Sequence, residues 1–132
     1  MSAWRTETSS DLEGARRNLE SVAGSISGEP SEEQVRLIWR AYLAVEKSIV
    51  FIRVEIDEEN PGRFLKAKTY AVPDERQALR FALVNLKKGA ETFRLGDFKQ
   101  ALKELRESRN YLRALLREKQ MQKVRKARSR SA

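Results

Sequence analysis

The sequence predicts an all-α protein, an antiparallel helical bundle of about four helices with an extended basic C-terminal helix or tail. Apolar residues recur every three or four positions along most of the chain, which is the period of helices with one buried face. All three prolines lie between these periodic segments and mark the breaks between helices. A length of 132 residues suits a single domain. The predicted division is a flexible N-terminus at residues 1–10, a bundle at residues 11–116 and a basic tail at residues 117–132.

The first predicted helix begins after Ser10, because serine is a favoured N-cap residue. It ends before Gly28 and Pro30. Its apolar face consists of Leu12, Ala15, Leu19, Val22 and Ile26. Trp4 precedes this segment and lies outside the predicted helices.

The second predicted helix has the clearest pattern. Ser31 is its N-cap, Gln34 completes a capping box, and Pro61-Gly62 closes it after Asn60. One seam with steps of three and four is formed by Val35, Ile38, Tyr42, Val45, Ile49, Ile52 and Ile56. About 28 residues at roughly 1.5 Å each give a helix of about 42 Å, which is longer than the first helix covers. Part of the seam is therefore expected to meet another subunit in a homo-oligomer or a helical protein partner. The alternative is that the connection at residues 63–73 folds back and covers the same surface.

Residues 50–72 also fit a second interpretation. Val50, Ile52, Val54 and Ile56 alternate as in a β-strand, and Asn60-Pro61-Gly62 would then be a hairpin turn. The helical seam begins well before this segment and runs through it, which favours a helix followed by a loop. The β-hairpin stays the alternative.

The third and fourth predicted helices meet at a tight turn. Pro73-Asp74-Glu75 opens the third helix, Leu95-Gly96 ends it, and Asp97 caps the fourth. The fourth carries Phe98, Ala101, Leu102, Leu105, Leu112, Leu115 and Leu116, and its pattern continues through Met121 and Val124 into the basic tail.

The same turn resembles one unit of a tetratricopeptide repeat. Gly89, Gly96-Asp97-Phe98 and Ala101 fall at the small and turn positions of that motif. The resemblance covers about a quarter of the chain, and an array needs about three units to bury its faces. Any tight turn between two closely packed helices has the same residues, so no family is assigned.

Positive charge is concentrated in residues 117–132, which hold seven Lys and Arg against one Glu for a net charge of +6. The other 116 residues carry only +2 of the chain's +8. A short cationic segment on a nearly neutral body favours binding to a polyanion, because each neutralised phosphate releases condensed counterions. The candidate binding residues are Arg117, Lys119, Lys123, Arg125, Lys126, Arg128 and Arg130. Lys119, Lys123, Lys126 and Arg130 share one face if the helix extends, and a solvated helix end is the alternative interpretation.

A second candidate cluster interleaves cations with aromatic rings: Arg63, Phe64, Lys66, Lys68 and Tyr70. Aromatic faces stack on unpaired bases while neighbouring cations hold phosphates. The alternative is that Phe64 and Tyr70 close the end of the bundle. Trp39, beside the helical seam, is expected in the core or an interface.

Several classes of function are excluded by residue type. Without cysteine or histidine there is no disulfide, thiolate nucleophile, imidazole base or Cys/His zinc site. There is no GxxxxGK[ST] phosphate loop, and Glu32-Glu33 is explained by favourable charge at a helix N-terminus. No enzyme activity, cofactor or metal is therefore predicted. No apolar run or leader pattern suggests a membrane span or secretion, so an intracellular, cytoplasmic location is expected.

Two functions remain. The first is a non-enzymatic nucleic-acid-binding protein with a packaging, chromatin or ribonucleoprotein role, using mainly phosphate contacts to DNA or RNA. The alternative is a helical protein-protein interaction or adaptor module, in which the tail serves solubility or steering.

Overall fold

The computed structural model describes residues 3–56 and 74–131, apart from the side chains of residues 122, 130 and 131. The described residues form four α-helices packed against one another, which confirms the all-α bundle. The helices are α1 (Ala3–Ser25), α2 (Glu32–Glu55), α3 (Glu75–Arg94) and α4 (Phe98–Ser131).

Every pair of neighbouring helices in the bundle is antiparallel. α1 packs between α2 and α3, and α4 packs between the same two helices on the other side. Lys47, late in α2, reaches Glu7, early in α1, and the Trp4 ring contacts Phe93 at the end of α3. α2 and α3 therefore run in the same direction at opposite corners, and α2 ends at the opposite end of the bundle from where α3 begins.

The start of α1 differs from the prediction. Residues 3–10, predicted as a flexible segment before the helix, form its first turns, and Ser10 is an exposed interior residue rather than the N-cap. The reason is tertiary: the Trp4 ring lies edge-on to Phe93 and Phe98, with centroids 5.7 and 5.5 Å apart. Aromatic burial at this end of the bundle favours helix over the local capping preference of serine.

α2 begins as predicted. The Ser31 hydroxyl accepts from the Gln34 backbone N–H at 3.2 Å, and the Gln34 side-chain oxygen accepts from the Ser31 backbone N–H at 2.8 Å. Residues 50–55 are helical, so the strand interpretation of this segment is wrong. The predicted hairpin turn at residues 60–62 lies outside the described residues.

The predicted length of α2 is wrong at its C-terminal end, because the helix ends at Glu55 with Ile56 as C-cap rather than at Asn60. α2 has 24 residues and α1 has 23, so α1 covers nearly the whole length of its partner. The apolar seam of α2 packs into the core of this same chain. Its residues Ile38, Val45, Ile49 and Ile52 are buried, and Val35, Tyr42 and Ile56 pack against the core. The length difference that suggested a second subunit is therefore absent.

The α3–α4 pair follows the predicted turn. Asp74 caps α3 by accepting from the Gln77 N–H at 2.7 Å, and Asp97 caps α4 by accepting from the Gln100 N–H at 3.3 Å. Gly96 has a φ of 87°, a left-handed conformation that glycine adopts without strain. The turn therefore needs a glycine at this position.

α4 is much longer than the bundle. Its 34 residues span about 51 Å at roughly 1.5 Å each, whereas α1 to α3 have 20 to 24 residues. Leu116 is the last residue of α4 in the core, and beyond Lys119 every described side chain is exposed. The predicted helical continuation into the tail is thus confirmed, although Met121 and Val124 contribute no core packing. We call the part of α4 from residue 117 onward the overhang.

Candidate nucleic-acid interface

The net positive charge of the chain lies on one helix. α4 contains twelve Lys and Arg residues and three Glu residues, a net charge of +9. The whole chain carries +8, so all the other residues together carry −1. The charge asymmetry is therefore greater than the division at residue 117 suggested, and it coincides with a structural element.

Lys119, one of the predicted binding residues, is held within the bundle. Its Nζ lies 2.7 Å from Glu29 Oε1 in the α1–α2 loop and 3.6 Å from Glu75 Oε1 at the start of α3. Only 12% of its side chain is exposed. The hydrogen bond from Lys119 lowers the pKa of Glu29, and the charge of Lys126 adds to this effect. Lys119 thus fixes the base of the overhang against two other elements.

Lys123 and Lys126 line a groove between the overhang and the first half of α2. The groove has a volume of about 490 Å³. Its walls are Glu29, Pro30, Glu32, Val35, Arg36, Trp39, Lys119, Lys123 and Lys126. Trp39 and Arg36 were not among the predicted binding residues, and Trp39 is 45% exposed rather than part of the core. Their positions about 80 residues before the lysines in the chain gave no sequence signal that they share a surface with them.

The remaining predicted tail residues are not part of the groove lining. Arg117, Arg125 and Arg128 are exposed on other sides of the overhang. The side chain of Arg130 lies outside the described part of the structure, although its backbone belongs to α4. The overhang therefore presents cations around its circumference rather than as a single stripe.

A further row of cations runs along the outer face of α4 from the bundle to the base of the overhang. Its members follow steps of three, four and seven residues, which keeps them on one side of a helix. They are Lys99, Lys103, Arg106, Arg113 and Arg117, and all except the half-buried Arg106 are exposed. Glutamates between these cations keep the local net charge of the sequence low, so the row does not stand out as a basic run. The signal that identifies it is the helical spacing of the cations.

The second predicted cluster cannot be placed. Arg63, Phe64, Lys66, Lys68 and Tyr70 lie outside the described residues. Their proposed role in base stacking stays a prediction.

A cavity of about 500 Å³ between α1 and α3 has different chemistry. Arg16 pairs with both Glu13 and Glu20, and Lys87 lies 3.1 Å from Glu20. The hydrogen bond from Arg16 lowers the pKa of Glu13. Since these cations already have carboxylate partners, this cavity is a poor site for an additional anion.

Among the described residues, no cluster of three or more acidic, histidine or cysteine side chains is arranged to hold a metal ion. None of the described helices combines the length and the apolar character needed to cross a bilayer. Comparison with known proteins finds no matching family model, no similar curated protein and no similar solved structure.

Proposed function

We propose that this chain is a non-enzymatic nucleic-acid-binding protein that holds the phosphate backbone with α4, acting inside the cell in a packaging, chromatin or ribonucleoprotein role. The observation that carries the proposal is the net charge of +9 on α4, against −1 for the rest of the chain. The electric field of this charge attracts a polyanion from a distance, and binding is stabilised by the release of counterions from the polyanion.

The shape of the overhang supports a polymer rather than a small anion. An exposed helix with cations on several sides can lie along a phosphate backbone and neutralise several phosphates at once. Phosphate contacts carry no direct information about sequence, so little base specificity is expected from the overhang.

The test is fluorescence anisotropy with labelled single- and double-stranded DNA and RNA at about 50 and about 200 mM salt. The full chain is compared with a variant in which Lys123, Arg125, Lys126 and Arg128 are all changed to Gln. The slope of log K against log salt is negative, and each lost phosphate contact makes it shallower by about 0.7 for a single strand. The slope of the four-residue variant is therefore expected to be shallower by up to about 3.

A matched control removes the same amount of charge elsewhere. Arg17, Arg40, Arg80 and Lys88 are exposed residues of α1, α2 and α3, and their joint replacement by Gln also removes four positive charges. The control is expected to keep a steeper slope than the overhang variant. Equal slopes for the two variants, or no binding by the full chain at the lower salt, would contradict the proposal.

A specific observation favours a second candidate, a helical protein-interaction module. Leu43, Val50 and Val54 on the outer side of α2 are 58%, 50% and 74% exposed. Their spacing places them on one helix face, which is a surface suited to a protein partner or a second copy of the chain. Retained self-association or partner binding in a full chain that binds no nucleic acid would favour this candidate.

A further inference from the structure

The groove between α2 and the overhang combines an aromatic ring with cations. Trp39 is nearly half exposed, and its ring meets Tyr42 edge-on, with centroids 5.6 Å apart and planes at 86°. Tyr42 in turn packs against the hydrophobic core. One edge contact to an anchored neighbour therefore orients the indole while much of its surface stays open to solvent.

The cations in the groove differ in how they are used. Lys119 contacts both Glu29 and Glu75, so its positive charge is already offset by these carboxylates. Lys123 and Lys126 are exposed and lie within 4 Å of no described carboxylate, although the charge of Lys126 still acts on Glu29. Arg36 has only a 3.9 Å contact with Glu33, and both side chains are at least 70% exposed, so this pair is weak. Arg36, Lys123 and Lys126 are thus the exposed cations next to Trp39, and the groove lining as a whole has four cations against the two carboxylates of Glu29 and Glu32.

We propose that this groove is a subsite for an unpaired nucleotide of a single-stranded nucleic acid, whose base stacks on Trp39 while the adjoining phosphates contact Lys123, Lys126 and Arg36. Aromatic rings beside cations bind single strands in a sequence-tolerant manner. A groove of about 490 Å³ falls within the range of sites that enclose small organic groups. In a duplex the bases are stacked inside the helix, so they do not reach a tryptophan in a groove.

This inference rests on the proposed nucleic-acid function and adds a preference for single strands. The first experiment uses the full chain with Trp4→Phe, which leaves Trp39 as its sole tryptophan. Emission from Trp39 is recorded during titration with an oligothymidylate of about ten nucleotides, with a duplex of the same length and with thymidine monophosphate. Quenching by the single strand at concentrations where the duplex and the mononucleotide have little effect is the expected result.

The second experiment measures affinity in two matched aromatic variants. Trp39→Ala is expected to weaken single-strand binding by about 5- to 100-fold, the effect of losing one stacked base, and to leave duplex binding unchanged. Phe81→Ala removes another exposed aromatic ring, on α3 and outside the groove, and is expected to leave both affinities unchanged. Trp39→Phe keeps a stacking surface and should retain part of the single-strand affinity. Thermal unfolding followed by circular dichroism verifies that each variant is folded.

The possible failures are distinguishable. The groove inference is overturned if the single strand leaves Trp39 emission unquenched and Trp39→Ala binds single strands as tightly as the wild type. The proposed nucleic-acid function still stands in that case if the overhang variant loses binding. Equal weakening of single-strand and duplex binding by Trp39→Ala also overturns the groove inference. If the mononucleotide quenches Trp39 as strongly as the oligomer does, the groove binds a free nucleotide, and the proposal of a subsite for a single-stranded polymer is overturned. Absence of binding to every nucleic acid at the lower salt removes both proposals.

Discussion

Gly89 shows how one residue sets the distance between two helices. A Cβ added at this position would lie 2.7 Å from Leu105 Cδ2 and 2.8 Å from its Cγ. Leu105 is buried in the core, so it has little room to move away. Nearby, the Ser108 hydroxyl donates to the Ala82 carbonyl at 2.7 Å, which joins α4 to α3 directly. The absence of a side chain at Gly89 is therefore a packing requirement of the α3–α4 pair.

Gly89→Ala and Gly14→Ala should have opposite effects on stability. At Gly89 the overpacked methyl group is expected to cost about 1–3 kcal/mol, which exceeds the helix-propensity gain of about 1 kcal/mol. At Gly14, in the interior of α1, an added Cβ meets nothing within 4 Å, so only the propensity gain of up to about 1 kcal/mol remains. Urea unfolding of both variants provides the measurement. Equal stability changes would mean that α3 and α4 are not in close contact at Gly89.

Trp39 shows the opposite case, in which a residue that looks like a core residue is exposed. Its position beside the helical seam suggested burial, but the face of α2 that carries it looks toward the overhang and solvent. The exposure of a side chain at the edge of a seam depends on which neighbour covers that edge. This information is absent from the periodicity of α2.

At the scale of elements, Lys119 joins α4 to two other parts of the chain. It contacts Glu29 in the α1–α2 loop and Glu75 in the first turn of α3. The same end of the bundle is further tied by Arg76, whose guanidinium donates to the Ile26 carbonyl at 3.2 Å. These contacts determine where α4 leaves the bundle and thereby where the overhang begins.

Lys119→Met is expected to lower stability at neutral pH, and the deficit should shrink in acid. The pKa of Glu29 is lowered by its hydrogen bond to Lys119, so the folded state favours the charged carboxylate. Such a group stabilises the protein above its unfolded pKa, and this contribution is lost as the pH falls below the ordinary glutamate value of 4.5 and through the folded pKa. The measurement is the free energy of unfolding of both proteins from pH 7 to about pH 3. A difference that stays constant over this range would show that the ion pair is not its cause.

The caps of the helices were predictable because their causes are local. Ser31 with Gln34, Asp74 and Asp97 each satisfy backbone N–H groups within the next turn, so a few adjacent residues specify them. The start of α1 and the end of α2 were not predictable in the same way. The start of α1 depends on a contact between Trp4 and residues about 90 positions later in the chain.

At the scale of the whole molecule, the bundle and the overhang have separate roles. The core ends with Leu116 and the ion pairs to the bundle end with Lys119, whereas the described side chains beyond Gln120 are all exposed. The overhang beyond Gln120 therefore contributes charge and reach but little packing. Five of the chain's cations and no acidic residue lie in residues 121–132.

A chain that ends at Gln120 is expected to unfold with nearly the same free energy as the full chain, within about 0.5 kcal/mol, since no buried contact is lost. Its net charge falls from +8 to +3, and its affinity for nucleic acid should fall with it. A chain that ends at Leu116 provides the comparison, because it also loses Lys119 and should be less stable than the chain ending at Gln120. Chemical denaturation and anisotropy binding on the same samples test both points. Equal stability of the two shortened chains would rule out a contribution from the ion pairs of Lys119.

The helical class, most of the turns and the concentration of charge near the C-terminus were predictable from local sequence patterns. Each of these follows from residues close together in the chain: apolar periodicity, caps and a run of like charges. Tertiary packing, in contrast, set the start of α1 before Ser10, covered the α2 seam within the chain and placed Lys119 in contact with the bundle. It also brought Trp39 and Arg36 beside Lys123 and Lys126. These outcomes depend on which helix lies next to which, and that choice is made by the packing of distant faces in three dimensions.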